Sequence, residues 1–155
     1  MKKTIYIVTI FLILFSQIEF SFAQEKNYWD ILSKVTFTLK RKADNPLDFY
    51  KTPQFDKPIK ALDKKKITIK GFVLPVSVTK SVLVLSRYPS KACFFCGGAG
   101  PESVIEVIPK DPNSELLKLK ADKVVIIKGV LKLNDSDFNH MIYMLEKAEI
   151  VEVLD

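Results

Sequence analysis

The chain is poor in the residues that build most chemical sites. In 155 residues it holds one histidine, two cysteines, one tryptophan and five glycines. A single histidine excludes any centre that needs two, such as a metalloprotease zinc site. Two cysteines are too few for a fold built on disulfides. There is no Gly-x-Ser-x-Gly nucleophile elbow, and no Gly-Lys-Ser/Thr follows the glycines, so a P-loop is absent too. The histidine has no Ser or Asp partner at a recognisable spacing, and no carboxylate pair stands in a distinctive context. Nothing in the sequence points to an enzyme. Nor does any uncharged apolar run reach the roughly 20 residues that span a bilayer.

What is present is ordinary globular material. Hydrophobic residues make up 48% and charged residues 27%, which argues against a disordered, collagen-like or multi-span membrane chain. The length suits one domain. The net charge of +6 is basic but not extreme.

The first 23 residues, MKKTIYIVTIFLILFSQIEFSFA, read as an address. Lys2 and Lys3 form a positive start, Ile5 to Phe15 an apolar core, and Ser21 and Ala23 place small residues at −3 and −1 of a cut before Gln24. This is the pattern of a Sec signal peptide. Glu19 closes the uncharged stretch, which is too short for a stable membrane span, and no cysteine near the cut invites a lipid anchor. The expectation is an exported protein, periplasmic or extracellular. Export removes most of the appeal of nucleic acid as a partner and leaves thiols open to oxidation.

Two further parts are expected. Residues 24–62 hold no glycine. Tyr28, Trp29 and Leu32, with Val35 and Leu39 beyond, have near-helical spacing, while Val35 to Leu39 also alternates as a strand would. Pro46, Pro53 and Pro58 interrupt regular structure, so 41–60 reads as an extended strap pinned by Phe49, Phe55 and Ile59. Residues 63–155 carry β patterns at 66–76, 81–88, 103–108, 123–133 and 141–153, the last as one strand or two short ones. A short helix is expected at 114–119, capped by Asn113 or Ser114. The order is β-β-β-α-β-β. Gly71 and Gly129 inside the first and fourth strands suit the sharp coiling of a small closed sheet. The expected fold is mainly β, a five-stranded OB-like barrel, with an open α+β sheet as the rival. No internal repeat or low-complexity tract is present.

The unusual segment lies between the second and third strands and reads RYPSKACFFCGGAGPES over 87–103. It contains both cysteines, Cys93 and Cys96, and three of the five glycines, Gly97, Gly98 and Gly100, followed by Pro101 and Glu102. The glycines permit positive φ and close backbone approach, so the local structure is specific. A structural disulfide or thiol pair ranks first. A metal half-site ranks second, because two thiolates leave zinc short of its four ligands; His140 and Glu102 are the candidates to add to it. Redox exchange ranks third, since glycines stand where a thioredoxin-type helix would start. Covalent haem is excluded, because Gly97 replaces the histidine it requires. The glycines could also form an anion-binding nest. Phe94 and Phe95 read as barrel plugs, Lys64 to Lys66 as a solvated turn, and a lone His140 more readily as a hydrogen-bonding residue than as a ligand.

These residues carry a likeness. Tyr28-Trp29-Asp30-Ile31-Leu32, the proline–aromatic strap around Phe55, the run from Ala61 to Pro75, the cysteine loop and the strand from Val104 together resemble an uncharacterised family of exported bacterial proteins with a predicted OB-like barrel. The resemblance implies that fold and an envelope location. Many relatives carry Cys-x-His followed by prolines in the loop, which hints at metal; here Phe95 stands at the histidine position, and Cys96 with its glycines replaces the prolines.

The functional expectation is an exported cell-envelope binding protein whose loop holds a thiophilic ion, Zn²⁺ or Cu⁺, through Cys93 and Cys96, with His140 or an envelope partner adding ligands. The alternatives are a non-catalytic interaction module with bonded cysteines, and a thiol–disulfide exchange protein.

Overall fold

The computed structural model describes residues 27–41, 48–74 and 82–154. The expected signal peptide and the part of the strap at 42–47 lie outside the described residues.

Asn27 starts the first helix, α1 (Tyr28–Leu32), by accepting the Trp29 N–H on its side chain, the usual N-cap bond. Helical spacing beyond Leu32 is not used. Thr36–Arg41 forms β1 and pairs antiparallel with β2 (Phe49–Gln54). The alternating reading of this segment therefore prevails, and a hairpin replaces much of the strap. Pro53 fits in β2 because a two-stranded sheet consists only of edges, where a missing N–H need not break a ladder. A one-turn helix, α2 (Lys57–Lys60), follows, capped by Asp56. It buries Ile59 and thus pins the segment as expected. Phe55 also packs inward, its ring 5.9 Å from that of Tyr143. Phe49 does not: it is exposed beneath the Arg41 guanidinium.

The barrel strands are β3 (Lys66–Leu74), β4 (Leu83–Ser86), β5 (Val104–Pro109), β6 (Val124–Leu133) and β7 (Tyr143–Leu154). They close in the order β3-β4-β5-β7-β6 and back to β3. Every pairing is antiparallel except β5 with β7. This mixed closed sheet is the OB-like barrel expected, and the helix between the third and fourth strands is a single 3₁₀ turn, Glu115–Lys118, capped by Ser114. The last strand is continuous; a bulge at Lys147, with φ 51°, lets it bend around the barrel. Gly71 and Gly129 are where the wall is tightest. A Cβ on Gly71 would come within 2.7 Å of Leu85 Cγ and the Ser86 carbonyl, and one on Gly129 within 2.7 Å of Leu145 Cγ.

The period-two pattern sends Ile67 and Ile69 of β3 inward with Leu85, Ile105, Ile127 and Leu145. α1 joins the same core through Trp29 and Leu32. Two long-range bonds fix it there: the Trp29 indole N–H donates to the Lys70 carbonyl, and the Tyr143 hydroxyl to the Leu32 carbonyl, each at 2.7 Å. Among the described residues no helix is long and apolar enough to cross a membrane.

β4 and the first four residues of β5 are buried on both faces. Their outer face is therefore covered. Leu74, Val84 and Val104 form a second apolar cluster with Cys93, and Met141 packs against it. The cysteine loop and the segment between β6 and β7 are thus laid on the outside of the barrel. They meet there because β5 and β7 run parallel and pair near their starts, Glu106 opposite Met144.

Candidate functional site

The cysteine loop is built from short 3₁₀ turns. Ser90–Ala92 forms one and Phe94–Cys96 another. The chain reverses after Cys96 because Gly97 adopts φ 76°, the left-handed region. Gly97 N–H then bonds the Phe94 carbonyl at 3.0 Å, and Gly98 N–H the Cys93 carbonyl at 3.1 Å. A Cβ on Gly98 would lie 2.8 Å from the Ala92 carbonyl oxygen, so the second glycine is required by contact and the first by conformation. Glu102 turns its carboxylate back over Gly100, where a side chain would overlap it. Pro101 opens the next 3₁₀ turn, Pro101–Ser103, closed by the Ser103 hydroxyl bonding the Gly100 carbonyl.

Three contacts hold the loop in place. The Asp122 carboxylate accepts the Ser90 N–H at 2.8 Å, and this bond holds its acid below the usual carboxylate range. Arg87 N–H continues the ladder to the Ser103 carbonyl at 2.9 Å, while the Arg87 guanidinium pairs with Asp30 of α1 at 2.8 Å.

The two thiols differ. Cys93 is 2% exposed within the outer apolar cluster, and Cys96 is exposed. Their sulfurs are 3.6 Å apart and unbonded. Of the first-ranked expectation, disulfide or thiol pair, the structure holds the free pair, because the Cys96 thiol is turned to donate to the Ser90 carbonyl at 2.9 Å. Its hydrogen bond with Cys93 pushes the Cys96 thiol above its ordinary pKa, helped by desolvation and by the charge of a neighbouring thiolate.

His140 is not brought into a cluster with the cysteines. Among the described residues no group of three or more His, Cys, Asp or Glu side chains is placed to hold a metal. His140 instead sets its Nδ1 2.7 Å from Glu106 Oε1. The other oxygen of Glu106 accepts the Met141 N–H at 2.9 Å. Glu106 is 1% exposed on β5, so the pair ties the 134–142 segment over a buried carboxylate. Asn134 organises that segment, accepting from Asp137 N–H and donating to the carbonyls of Asp137, His140 and Met141. His140 thus takes the hydrogen-bonding role and latches the segment, and Glu102 lies over Gly100.

Phe94 and Phe95 are not barrel plugs. They are 36% and 46% exposed and pack edge to face on each other at 5.2 Å. The barrel interior is already filled by its own strands and α1, which leaves these rings outside.

Sequence reasoning missed Glu106, Asp122 and Asn134. Only Glu106 left a signal, as the single charge within the apolar run Ser103 to Ile108. Compared with protein-family models, curated proteins and solved structures, the chain matches none.

Proposed function

We propose that this is an exported cell-envelope binding protein whose loop takes up a thiophilic ion, Zn²⁺ or Cu⁺, through Cys93 and Cys96. The observation that carries the reading is the spacing of the two free sulfurs, 3.6 Å. Two thiolates each about 2.3 Å from a tetrahedral centre stand about 3.8 Å apart, so the pair is close to a chelating bite without rearrangement. A disulfide would need them at about 2.05 Å. The glycine turn after Cys96 keeps that spacing, and burial of Cys93 anchors one arm. The remaining positions on the ion go to solvent or to donors from a partner protein, which would seat against exposed Phe94 and Phe95.

Exchange chemistry is the weaker reading. An exchange cysteine of thioredoxin type sits at a helix N-terminus, whereas here a left-handed glycine turn follows Cys96 and its thiol is bonded to the Ser90 carbonyl. A metal-free docking module is favoured by one observation, the exposed aromatic pair at the loop tip.

The test is metal content by mass spectrometry, on protein purified without oxygen and equilibrated with Zn²⁺ or Cu⁺. The wild type should retain about one ion that Cys93→Ser/Cys96→Ser loses. Equal metal in both proteins refutes the ion and leaves the docking module.

A further inference from the structure

A pocket that includes neither cysteine opens between α1 and β3. The alternation that sends Ile67, Ile69 and Gly71 of β3 inward sends Thr68, Lys70 and Phe72 outward. Phe72 lies opposite Val124 of β6 in the sheet register. Tyr28, at the start of α1, and Arg87, just after β4, complete the walls of a pocket with these residues. Its volume is about 610 Å³, within the roughly 300–1,000 Å³ typical of small-molecule sites.

Its chemistry is asymmetric. Phe72, Val124 and Tyr28 are half-buried and supply apolar and aromatic surface. The charged wall is cationic. Arg87 is already matched by Asp30. Lys70 is exposed, and no described carboxylate pairs with it. One uncommitted ammonium beside aromatic walls selects an anion attached to a flat apolar body. The frame is held in place, because the Trp29 indole that lines it is bonded to the Lys70 carbonyl and β3 is paired with β6 from Lys66 to Phe72.

We infer that this pocket between α1 and β3 binds a small aromatic or alicyclic molecule carrying one anionic group, which Lys70 recognises while Phe72 and Tyr28 hold the ring. The site shares no residue with the thiol pair and does not depend on it.

Trp29 is the protein's only tryptophan and lines the pocket, so its fluorescence reports occupancy directly. The probe is anilinonaphthalene sulfonate, an aromatic anion, titrated into the folded full-length protein. Saturable one-to-one quenching of Trp29 with energy transfer to the probe is expected. Lys70→Glu, on an exposed side chain, should leave the melting temperature unchanged and weaken binding about tenfold, because an attraction becomes a repulsion. Lys70→Arg should retain affinity. Cys93→Ser/Cys96→Ser should bind as the wild type does, so failure of the metal reading leaves this result untouched. The inference is overturned if Trp29 does not respond, if Lys70→Glu binds like the wild type, or if the uncharged phenylnaphthylamine binds as tightly as the sulfonate.

Discussion

Replacing His140 with alanine removes one of two partners from a carboxylate that water cannot reach. The side chain of Glu106 is 2% exposed, with His140 on one oxygen and the Met141 N–H on the other. Leaving a buried carboxylate short of a hydrogen-bond partner costs about 1–3 kcal/mol, and more when the group is charged. Met141 continues to solvate half of the carboxylate, and His140 is itself partly exposed, so the expected cost is about 2–3 kcal/mol. For a domain of this size that lowers the melting temperature by roughly 10 °C. Glu106→Gln keeps an acceptor for Met141 and an amide for the imidazole, and should cost about 1 kcal/mol. The double variant His140→Ala/Glu106→Gln removes the charge and its side-chain partner together and should be less destabilised than the sum of its singles. Urea unfolding of the four proteins gives the coupling energy. If His140→Ala costs less than about 0.5 kcal/mol, or if the double variant is strictly additive, the pair is not holding the 134–142 segment and the reasoning fails.

Three other outcomes follow from the geometry. Iodoacetamide should label one thiol per native chain, Cys96, and two after denaturation; because the Cys96 thiol is held above its ordinary pKa, the native labelling rate should still be climbing with pH beyond about 8.5, where an ordinary thiol begins to level off. Tyr143→Phe loses the buried bond to the Leu32 carbonyl, which is expected to cost about 1 kcal/mol in thermal unfolding. Burial raises the Tyr143 hydroxyl far above its usual value, so the wild type keeps this contribution below about pH 10 and loses it as pH rises beyond, where unfolding releases the proton. The variant should therefore show a shallower alkaline loss of stability. Gly98→Ala should cost more than Gly97→Ala, since the first collides with the Ala92 carbonyl while the second meets open space and pays only the left-handed strain of about 1–2 kcal/mol; thiol labelling stoichiometry reports whether Cys93 is released.

Much of the barrel was legible because strand formation is written locally. Ile67 and Ile69 alternate with Thr68 and Lys70, breakers separate the runs, and Gly71 and Gly129 mark the two places where neighbouring strands approach too closely for a side chain. The hairpin of β1 and β2 was harder to read, because Tyr28 to Leu39 satisfies two periodicities at once and Pro53 argues against a strand until the strand is known to be an edge. The loop was recognisable as unusual from its composition alone, yet the fates of its residues were not. Phe94 and Phe95 have the composition of core yet lie partly exposed outside it, since the barrel core is already made by its own strands and α1.

By itself the sequence determined a β-rich chain, the order of its five barrel strands and the peculiarity of one glycine-cysteine loop, all properties of residues close together in the chain. Only the tertiary structure decided that Glu106 is buried, that His140 closes on it rather than on the thiols, and that Lys70 and Tyr28 face one pocket. Each of these pairings joins residues more than 30 positions apart; the parallel run of β5 beside β7 brings the first together and the docking of α1 on β3 the second, which no local period encodes.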